Sequence, residues 1–481
     1  MRGFMIPTLA IATAFVSSTL ALPFSRVHPG TASNIIITDK NTVNATTTIA
    51  TNATIISNAT IISSNATTQV SERSATSGRL PLALVNNLAG SVNAYVTGLD
   101  KNNALVMLQP NGQWYYPSAS ESTTTPQPVN ANVAIPLGAQ GSTTQVTVPD
   151  YISAARVWFA EGELQFFTVW SSATNGPSLV EPSAVNPSDP SSGISWGFVE
   201  LTNTAAGGLY ANISYVDFAG LALGMSLLSG DGSTQSALGL QPQAIASICA
   251  DLALQGGVDG QDWEALCQAD ANGNLLRVVA PSDYISTSPN SFGEYFNEYI
   301  ALVWETYTTS PLTIDTQTGA GSVACTVQGD LLTCAGDNRG RSPVRKASSH
   351  RQRKTNTSKP TGYAKPSPSD IFGCNSGPFA LESADNALHR AIVPRLCAAF
   401  NRSTLTIAGG SVQPGPAAKD YYTGNPTNWY SAIIHMHEVD GKGYAFPYDD
   451  VNPAGDINQS GVVADANPSV LTVTVGGPSP T

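Results

Sequence analysis

The chain has 481 residues, a formal net charge of −12 and only 12% charged residues. This acidic, charge-poor composition disfavours nucleic acid as a partner and suits a neutral polymer substrate in an external medium. Its length allows one large domain or two smaller ones.

The N-terminus has the pattern of an export signal. Residues 1–21 combine a basic start at Arg2, an apolar run from Ile6 to Val16 and a small residue at Ala21. This pattern predicts a secretory signal peptide. No other stretch is apolar over a membrane-spanning length, and the C-terminus lacks the hydrophobic tail of a lipid-anchor signal. We therefore expect a secreted protein, extracellular or associated with a cell wall, with no membrane partner.

The next segment, residues 22–78, is rich in Ser, Thr, Asn, Ala and Ile. It repeats the N-glycosylation sequon Asn-Ala-Thr, at Asn44, Asn52, Asn58 and Asn65. Glycans at this spacing keep a chain solvated and extended. The segment is either a stalk that tethers the protein to a wall or a simple spacer, and we predict the spacer.

From Leu80 onward the sequence alternates short β-type runs with Gly and Asn-Gly turns, which predicts a β-sandwich or barrel. The predicted strands lie at 82–87, 92–98, 104–108, 114–117, 131–135, 144–148, 155–159 and 163–170.

Two further strands each carry one acid. The first, Ile194 to Thr202, places Trp196, Glu200 and Thr202 on one face, because side chains alternate along a strand. The second follows a small-residue turn, runs through residues 208–223 and carries Asp217. Paired carboxylates suit glycosidic bond hydrolysis, in which one protonates the leaving oxygen and the other activates water or attacks the sugar.

Apolar neighbours favour the protonated form of Glu200, as the acid role requires. The alternative is that each carboxylate is merely solvated or paired with a nearby Arg. A sequon at Asn212 lies five residues before Asp217. On a regular strand its glycan would project from the opposite face and leave the cleft open.

Helical spacing follows the strands and predicts a mixed α/β part with helices from Pro242 to Leu252, Asp262 to Cys267 and Phe292 to Val303. A later helix, 383–400, is expected to break near Pro394, which cannot donate a helical hydrogen bond. Residues 336–370 hold nine of the 22 Lys and Arg and predict a disordered loop. This basic insertion is either an attachment or processing site or a tolerated surface insertion.

One pair of histidines near the C-terminus bears on metal binding. His435 and His437 would face the same way on a predicted strand and are a candidate metal pair, but no third ligand is apparent. We expect no metal and no organic cofactor. Zinc-protease, phosphate-loop, dinucleotide and Gly-x-Ser-x-Gly motifs are also absent from the sequence.

Six cysteines in a secreted chain predict three disulfides. Six cysteines allow fifteen connectivities, of which we favour the local pairs. These are Cys249 with Cys267, Cys325 with Cys334 across a hairpin-like stretch, and Cys374 with Cys397.

Several separated blocks together resemble glycoside hydrolase family 64, the thaumatin-like β-1,3-glucanases, in its fungal form. The resemblance covers about residues 80 to 477, and its blocks are Leu179-Val-Glu-Pro-Ser, Asn186-Pro-Ser-Asp-Pro, Trp196-Gly-Phe-Val-Glu-Leu-Thr, Tyr210-Ala-Asn-Ile-Ser-Tyr-Val-Asp-Phe, Gly377-Pro-Phe, Ala398-Ala-Phe-Asn-Arg-Ser-Thr-Leu and Gly443-Tyr-Ala-Phe-Pro-Tyr-Asp-Asp-Val.

The resemblance implies a mainly β fold in one glucanase domain, residues 79–477. A thaumatin-like β-barrel or sandwich, about 79–235 and 405–477, would flank a wide groove together with a mixed α/β part, about 236–404. The groove would bind β-1,3-glucan. The resemblance also implies an inverting mechanism that releases short laminari-oligosaccharides.

The same resemblance assigns the roles of the site residues. Glu200 would be the general acid and Asp217 the general base. Thr202 would be a groove residue. Trp196 would either stack on a sugar or pack in the core. Asp449 and Asp450 would line the groove or cap its wall.

Two functions remain open. The first is a secreted, monomeric glucan endo-1,3-β-glucosidase; the alternative is a non-catalytic thaumatin-like β-1,3-glucan-binding or antifungal wall protein. The presence of both acids favours the enzyme, because binding alone requires no separated acid pair.

Overall fold

The computed structural model describes residues 24–45, 78–121, 125–172, 174–339 and 362–478. The predicted signal peptide, and the sequons at Asn52, Asn58 and Asn65, lie outside these ranges. None of the helices in the described ranges has the length and apolarity that a membrane crossing requires.

The strands, in chain order, are β1 (Ser25–Arg26), β2 (Thr42–Asn44), β3 (Leu80–Asn86), β4 (Asn93–Asp100), β5 (Leu105–Leu108), β6 (Trp114–Tyr115), β7 (Gln127–Pro128), β8 (Ile135–Pro136), β9 (Ser142–Val148), β10 (Ile152–Ala160), β11 (Phe167–Ser171), β12 (Gly176–Val180), β13 (Trp196–Thr204), β14 (Gly208–Ile213), β15 (Phe218–Ala219), β16 (Leu223–Ser229), β17 (Thr234–Ala237), β18 (Cys267–Ala269), β19 (Leu275–Val279), β20 (Leu312–Asp315), β21 (Ser322–Gln328), β22 (Leu331–Cys334), β23 (Val412–Gln413), β24 (Val463–Asp465) and β25 (Pro468–Val475). The α-helices are α1 (Ala244–Asp259), α2 (Pro281–Thr287), α3 (Asn297–Thr309), α4 (Pro368–Gly373), α5 (Ala387–Asn401) and α6 (Trp429–His437).

These strands form five open sheets. The main sheet has the order β24-β14-β13-β10-β4-β5-β6, with β8 beside β4. The second sheet is β17-β16-β25-β3-β9, the side sheet β2-β12-β11-β7, the junction sheet β1-β18-β19-β15 and the far sheet β22-β21-β20-β23. Because β24 and β6 leave both edges of the main sheet unjoined, the described part of the chain is mainly β without a closed barrel.

Alternation along the strands of the main sheet gives it two apolar faces. Val157 and Val199 on one face share a core with Leu84 and Val473 of the second sheet. Trp158 and neighbouring side chains on the other face form a separate cluster with Leu179 of the side sheet. The main sheet is therefore the middle layer of three, as expected for a sheet that is apolar on both faces.

Helices and the far sheet build the mixed part, where two helix predictions and one strand prediction need correction. The predicted third helix begins later, at Asn297. Helix α5 continues through Pro394, because burial of nearly all its residues from Ala391 onward compensates for one missing hydrogen bond. The segment that includes His435 and His437 is helix α6, capped by Asn428, and not a strand.

The N-terminal segment, 24–45, is not the extended spacer that its composition predicted. Strand β1 pairs with β18 of the junction sheet, and β2 pairs with β12 of the side sheet. Between them, the Asn186 amide donates to the carbonyl of Asn34 at 2.8 Å. The segment therefore crosses from one sheet to another, because unpaired sheet edges offer it main-chain hydrogen bonds.

Both described ends of the predicted basic insertion are ordered. Arg339 forms an ion pair with Asp385 at 2.7 Å, and the backbone of Tyr363 exchanges hydrogen bonds with Leu332. Helix α4 follows, with Ser367 as its N-cap. Residues 340–361, on which the rest of that prediction falls, lie outside the described ranges.

All three predicted disulfides are confirmed: Cys249–Cys267, Cys325–Cys334 and Cys374–Cys397. They close loops of 18, 9 and 23 residues, respectively. All three lie in the mixed part of the fold, where they join short elements.

We expect replacement of both Cys374 and Cys397 by Ser to lower the free energy of unfolding by about 3 kcal/mol, since the cross-link restricts the unfolded chain. Replacing Cys325 and Cys334 should also lower the free energy of unfolding, but by a smaller amount, because the closed loop is shorter. The difference between the two losses should be under about 1 kcal/mol. Urea unfolding measures both. Equal losses, or a larger loss for the shorter loop, would contradict this entropic account.

Candidate active site

A row of polar side chains crosses the main sheet on the face that packs toward the side sheet. In register, Thr97 of β4 lies opposite Arg156 of β10, Arg156 opposite Glu200 of β13, and Glu200 opposite Asn212 of β14. Residues directly opposite on antiparallel strands share a face, so these four form one line, the polar row. The next position deeper in β13 is Phe198, and the apolar cluster begins there.

Arg156 is the centre of this row. Its Nη1 donates to Glu181 at 2.7 Å, and its Nε and Nη2 both donate to Glu200 at 3.3 Å. Glu181 is fully buried and also accepts from the Thr97 hydroxyl at 2.6 Å. Burial lowers the pKa of Arg156, but the charges of Glu181, Glu200 and Asp217 outweigh it and the net shift is upward.

Glu200 is the exposed end of this charge chain. Its side chain is 37% exposed, whereas the Trp196 and Phe198 rings on the same face are buried. The apolar surroundings predicted for Glu200 are therefore only part of its environment, since a guanidinium lies beside it. The geometry gives Glu200 a fixed orientation and leaves one side open to solvent.

The sequence analysis predicted Asp217 on the same strand as Asn212. The structure instead places Asp217 beyond the end of that strand. Strand β14 ends at Ile213, because the chain leaves the main sheet there, and Tyr215 donates its N–H to Tyr444. Asp217 occupies the connection to the junction sheet, where its carbonyl accepts from the N–H of Ala280 at 2.8 Å. The two acids thus come from one hairpin and its exit, and not from adjacent strands.

The Asp217 carboxylate has two close partners. Lys40 donates to Asp217 at 2.8 Å and to Asp283 of α2 at 2.6 Å. Burial raises the pKa of Asp217, but Lys40, Arg156 and a hydrogen bond with Asp283 outweigh it, so the net shift is downward. Burial and the charge of Asp217 raise the pKa of Asp283. Near neutrality Asp217 is therefore ionised, as a base must be, and Asp283 takes up the proton first.

A cavity of about 420 Å³ adjoins Asp217. Residues of the N-terminal segment, the loop from Pro182 to Pro187, and α2 form its walls, and Arg156 and Asp283 line its interior. This volume is within the range of small-ligand sites.

The other predicted site residues differ in position. Thr202 is half-buried beyond Glu200 on the same strand face and lies opposite Tyr210. Trp196 is only 1% exposed and packs against Trp158 and Phe218, so of its two predicted roles the structure supports core packing.

The two members of the Asp449–Asp450 pair differ in burial. Asp449 is fully buried and binds Arg402 at 2.8 Å and His435 at 3.0 Å, whereas Asp450 is half-buried. Burial raises the pKa of Asp450 to about 6.

The two candidate metal ligands point to different partners. His435 binds Glu438 and Asp449, and His437 binds Asp251 at 2.7 Å. Residues two positions apart on a helix do not share a face, so the prediction that His435 and His437 face the same way is wrong. Among the described residues, no cluster of three or more His, Cys, Asp or Glu is arranged to hold a metal.

The sequon at Asn212 faces the groove. Asn212 lies directly opposite Glu200, so a glycan there would project over the polar row and obstruct it. The expectation that such a glycan would leave the cleft open assumed that Asn212 and Asp217 lie on one regular strand. Asp217 lies outside that strand, so the expectation is wrong.

Sequence reasoning missed Lys40, Arg156, Glu181 and Asp283. Their signal was weak, because each is an isolated charged residue in a charge-poor chain and the partners lie far apart in sequence. It also missed Tyr210, a 45% exposed aromatic residue that neighbours Thr202. The site thus offers an oriented carboxyl group, an ionised carboxylate, an adjoining cavity and an exposed aromatic ring, which together suit acid–base work on a sugar chain.

Comparison with known proteins gives a consistent result. The model of glycoside hydrolase family 64, described as β-1,3-glucanase, matches residues 78–475. The glucan endo-1,3-β-glucosidases of Cellulosimicrobium cellulans and Arthrobacter sp. strain YCWD3 are each 25% identical over 322 residues. The match covers 66% of this chain and 52% of each relative, so the chain spans about half the length of these relatives.

Solved structures resemble this fold. A laminaripentaose-producing β-1,3-glucanase in complex with laminaritetraose has a TM-score of 0.66 and 26% identity, covering 83% of this chain and 98% of its own. A family 64 β-1,3-glucanase domain from Clostridium beijerinckii has a TM-score of 0.60 and 20% identity, with the same coverage.

We expect Arg156→Met to lower the free energy of unfolding by about 3–5 kcal/mol, because it leaves the buried Glu181 carboxylate without its cation. The double variant Arg156→Met/Glu181→Met should recover most of this loss, since no unpaired charge remains. Chemical denaturation of both variants measures the difference. A double variant as unstable as the single one would show that packing, and not charge pairing, accounts for the loss.

Proposed function

The chain belongs to glycoside hydrolase family 64, and we propose that it is a glucan endo-1,3-β-glucosidase that hydrolyses cell-wall β-1,3-glucan by an inverting mechanism. The observation that carries this proposal is the different environment of the two acids. Glu200 is oriented by Arg156 and partly exposed in the polar row, and Asp217 is kept ionised beside the cavity. The curated relatives are named for this activity, and the solved relative was crystallised with a laminari-oligosaccharide.

In the proposed reaction, Glu200 donates its proton to the glycosidic oxygen as the bond from that oxygen to the anomeric carbon breaks. Asp217 takes a proton from a water molecule whose oxygen forms the new bond at the same carbon from the opposite face. Water supplies both the hydroxyl on the new reducing end and the proton on Asp217, and exchange with solvent returns both acids to their starting states. No metal or organic cofactor takes part.

Inversion requires the two carboxyl groups to lie about 6.5–9.5 Å apart, so that a water fits between the base and the sugar. Arg156 hydrogen-bonds to Glu200 and also lies near enough to Asp217 for the two charges to interact, and this shared neighbour supports a separation of that order. Thr202 and Tyr210, next to Glu200 on the same face, are the proposed contacts for neighbouring sugars.

The proposal also includes the finer points of the resemblance. The protein would be a secreted, monomeric, thaumatin-like member of fungal type that releases short laminari-oligosaccharides. Its predicted signal peptide and acidic composition support export.

We expect Glu200→Gln and Asp217→Asn each to lower kcat on laminarin by about 10²- to 10⁴-fold, the contribution of one positioned acid or base. Reducing-sugar release measures the rate, and proton NMR of the first products should show α-anomers for the unaltered protein. Glu163→Gln, on the exposed loop before β11, is the matched control and should retain full activity.

Glucan binding without hydrolysis by the correctly folded, unaltered protein would overturn the enzyme and leave the non-catalytic binding protein. First-formed β-anomers would instead show retention and remove Asp217 from the role of base.

We expect Tyr210→Ala to raise KM for laminari-oligosaccharides about 5- to 50-fold with a smaller change in kcat, because an exposed aromatic ring offers apolar area to the faces of sugars. Tyr116 is a matched control, since it is 52% exposed just beyond β6, at the opposite edge of the main sheet. Steady-state kinetics on laminarihexaose compare the two. An equal rise in KM for Tyr116→Ala, or none for Tyr210→Ala, would exclude this contact.

A further inference from the structure

Lys40 bridges two carboxylates of the candidate site from outside the family domain. The family match begins at residue 78, whereas Lys40 lies in the segment 24–45. The lysine therefore does not belong to the part of the chain that the family shares. Its ammonium nevertheless contacts Asp217 at 2.8 Å and Asp283 at 2.6 Å.

The ammonium takes up part of the hydrogen-bonding capacity that a general base needs. An Asp carboxylate activates water by accepting a hydrogen bond from it. One oxygen of Asp217 accepts from Lys40, and Asp283 also hydrogen-bonds to the carboxylate. An attacking water must therefore compete with a charged donor for this carboxylate, and hydrogen bonds to charged groups are the strong ones.

The residues around Lys40 also take space beside the base. Ile36, Thr38, Lys40 and Asn41 form one wall of the cavity that Asp217 lines. A glucan chain that enters this cavity meets the N-terminal segment directly.

The segment is anchored on both sides of Lys40 but loosely packed around it. Before it, Val27 is 1% exposed and follows β1; after it, the carbonyl of Asn41 accepts from the N–H of Glu181 at 2.8 Å. Between these anchors Ile36 and Ile37 are 56% and 46% exposed, and the Lys40 side chain is 41% exposed. Lys40 can thus leave the acids while the anchoring strands stay paired.

We propose that residues 36–40 are an intramolecular inhibitor, in which Lys40 competes with the attacking water for the Asp217 carboxylate. This inference rests on the proposed function. With the segment in place, the full chain is a restrained form of the enzyme. Displacement or removal of the N-terminal segment activates the enzyme.

The test compares full-length Lys40→Met and Lys40→Arg with the unaltered chain. We expect Lys40→Met to raise kcat/KM on laminarin about 5- to 50-fold, and Lys40→Arg, which keeps a cation beside Asp217, to raise it less. Lys101→Met is the control, because Lys101 pairs with Asp150 at 2.7 Å away from the cavity. Thermal unfolding of each variant checks that it is folded.

Binding gives a second readout that needs no turnover. Calorimetric titration with laminarihexaose in a Glu200→Gln background, with and without Lys40→Met, should show tighter binding without the lysine. If no variant hydrolyses laminarin but this difference is found, the proposed function fails, and the segment only restricts glucan binding.

Three results would overturn the inference. A lower kcat in folded Lys40→Met with unchanged KM would make Lys40 a positioning residue for Asp217. Unchanged kinetics and unchanged binding would make it a structural link only. An equal gain in Lys101→Met would trace the effect to net charge.

Discussion

The shared guanidinium of Arg156 is the interaction on which the candidate site depends. It lies in the middle layer of a three-layer fold, where most neighbours are apolar, and a cation there is tolerated only when paired. Glu181 from the side sheet and Glu200 from the main sheet both supply that pairing. The same contacts that allow the charge to be buried therefore fix the orientation of Glu200 and join two layers. Stability and site geometry are coupled through one side chain.

The second acid arises from a break in regular structure. Strand pairing holds Glu200, but Asp217 lies where the chain leaves the main sheet and enters the junction sheet. Its backbone is held by Ala280 and its side chain by Lys40 and Asp283. Two acids near each other in sequence thus have different partners, a guanidinium for Glu200 and an ammonium with a second carboxyl group for Asp217.

Local patterns predicted much of this fold. Alternation along residues 194–202 correctly placed Trp196, Glu200 and Thr202 on one face, and the short Cys spacings identified all three disulfides. Sequence pattern failed to predict the structure where contacts between distant parts of the chain determine it. Residues 428–437 are apolar enough for either a strand or a helix, and only packing and the Asn428 cap select the helix. The partners of Arg156 were equally hidden, because alternation tells which face a residue occupies but not which distant charge meets it there.

The N-terminal segment shows why composition is a poor guide to position. Its Ser, Thr and Asn content is typical of a solvated linker, and short strands such as β1 and β2 bury little apolar area. They are held instead by main-chain hydrogen bonds to sheet edges, for which sequence carries almost no signal. Since each anchor is short, the segment is held more weakly than a core strand. A segment held in this way suits reversible occupation of a groove, because a polymer that binds along the groove competes with a few hydrogen bonds and one ammonium, and not with a hydrophobic core.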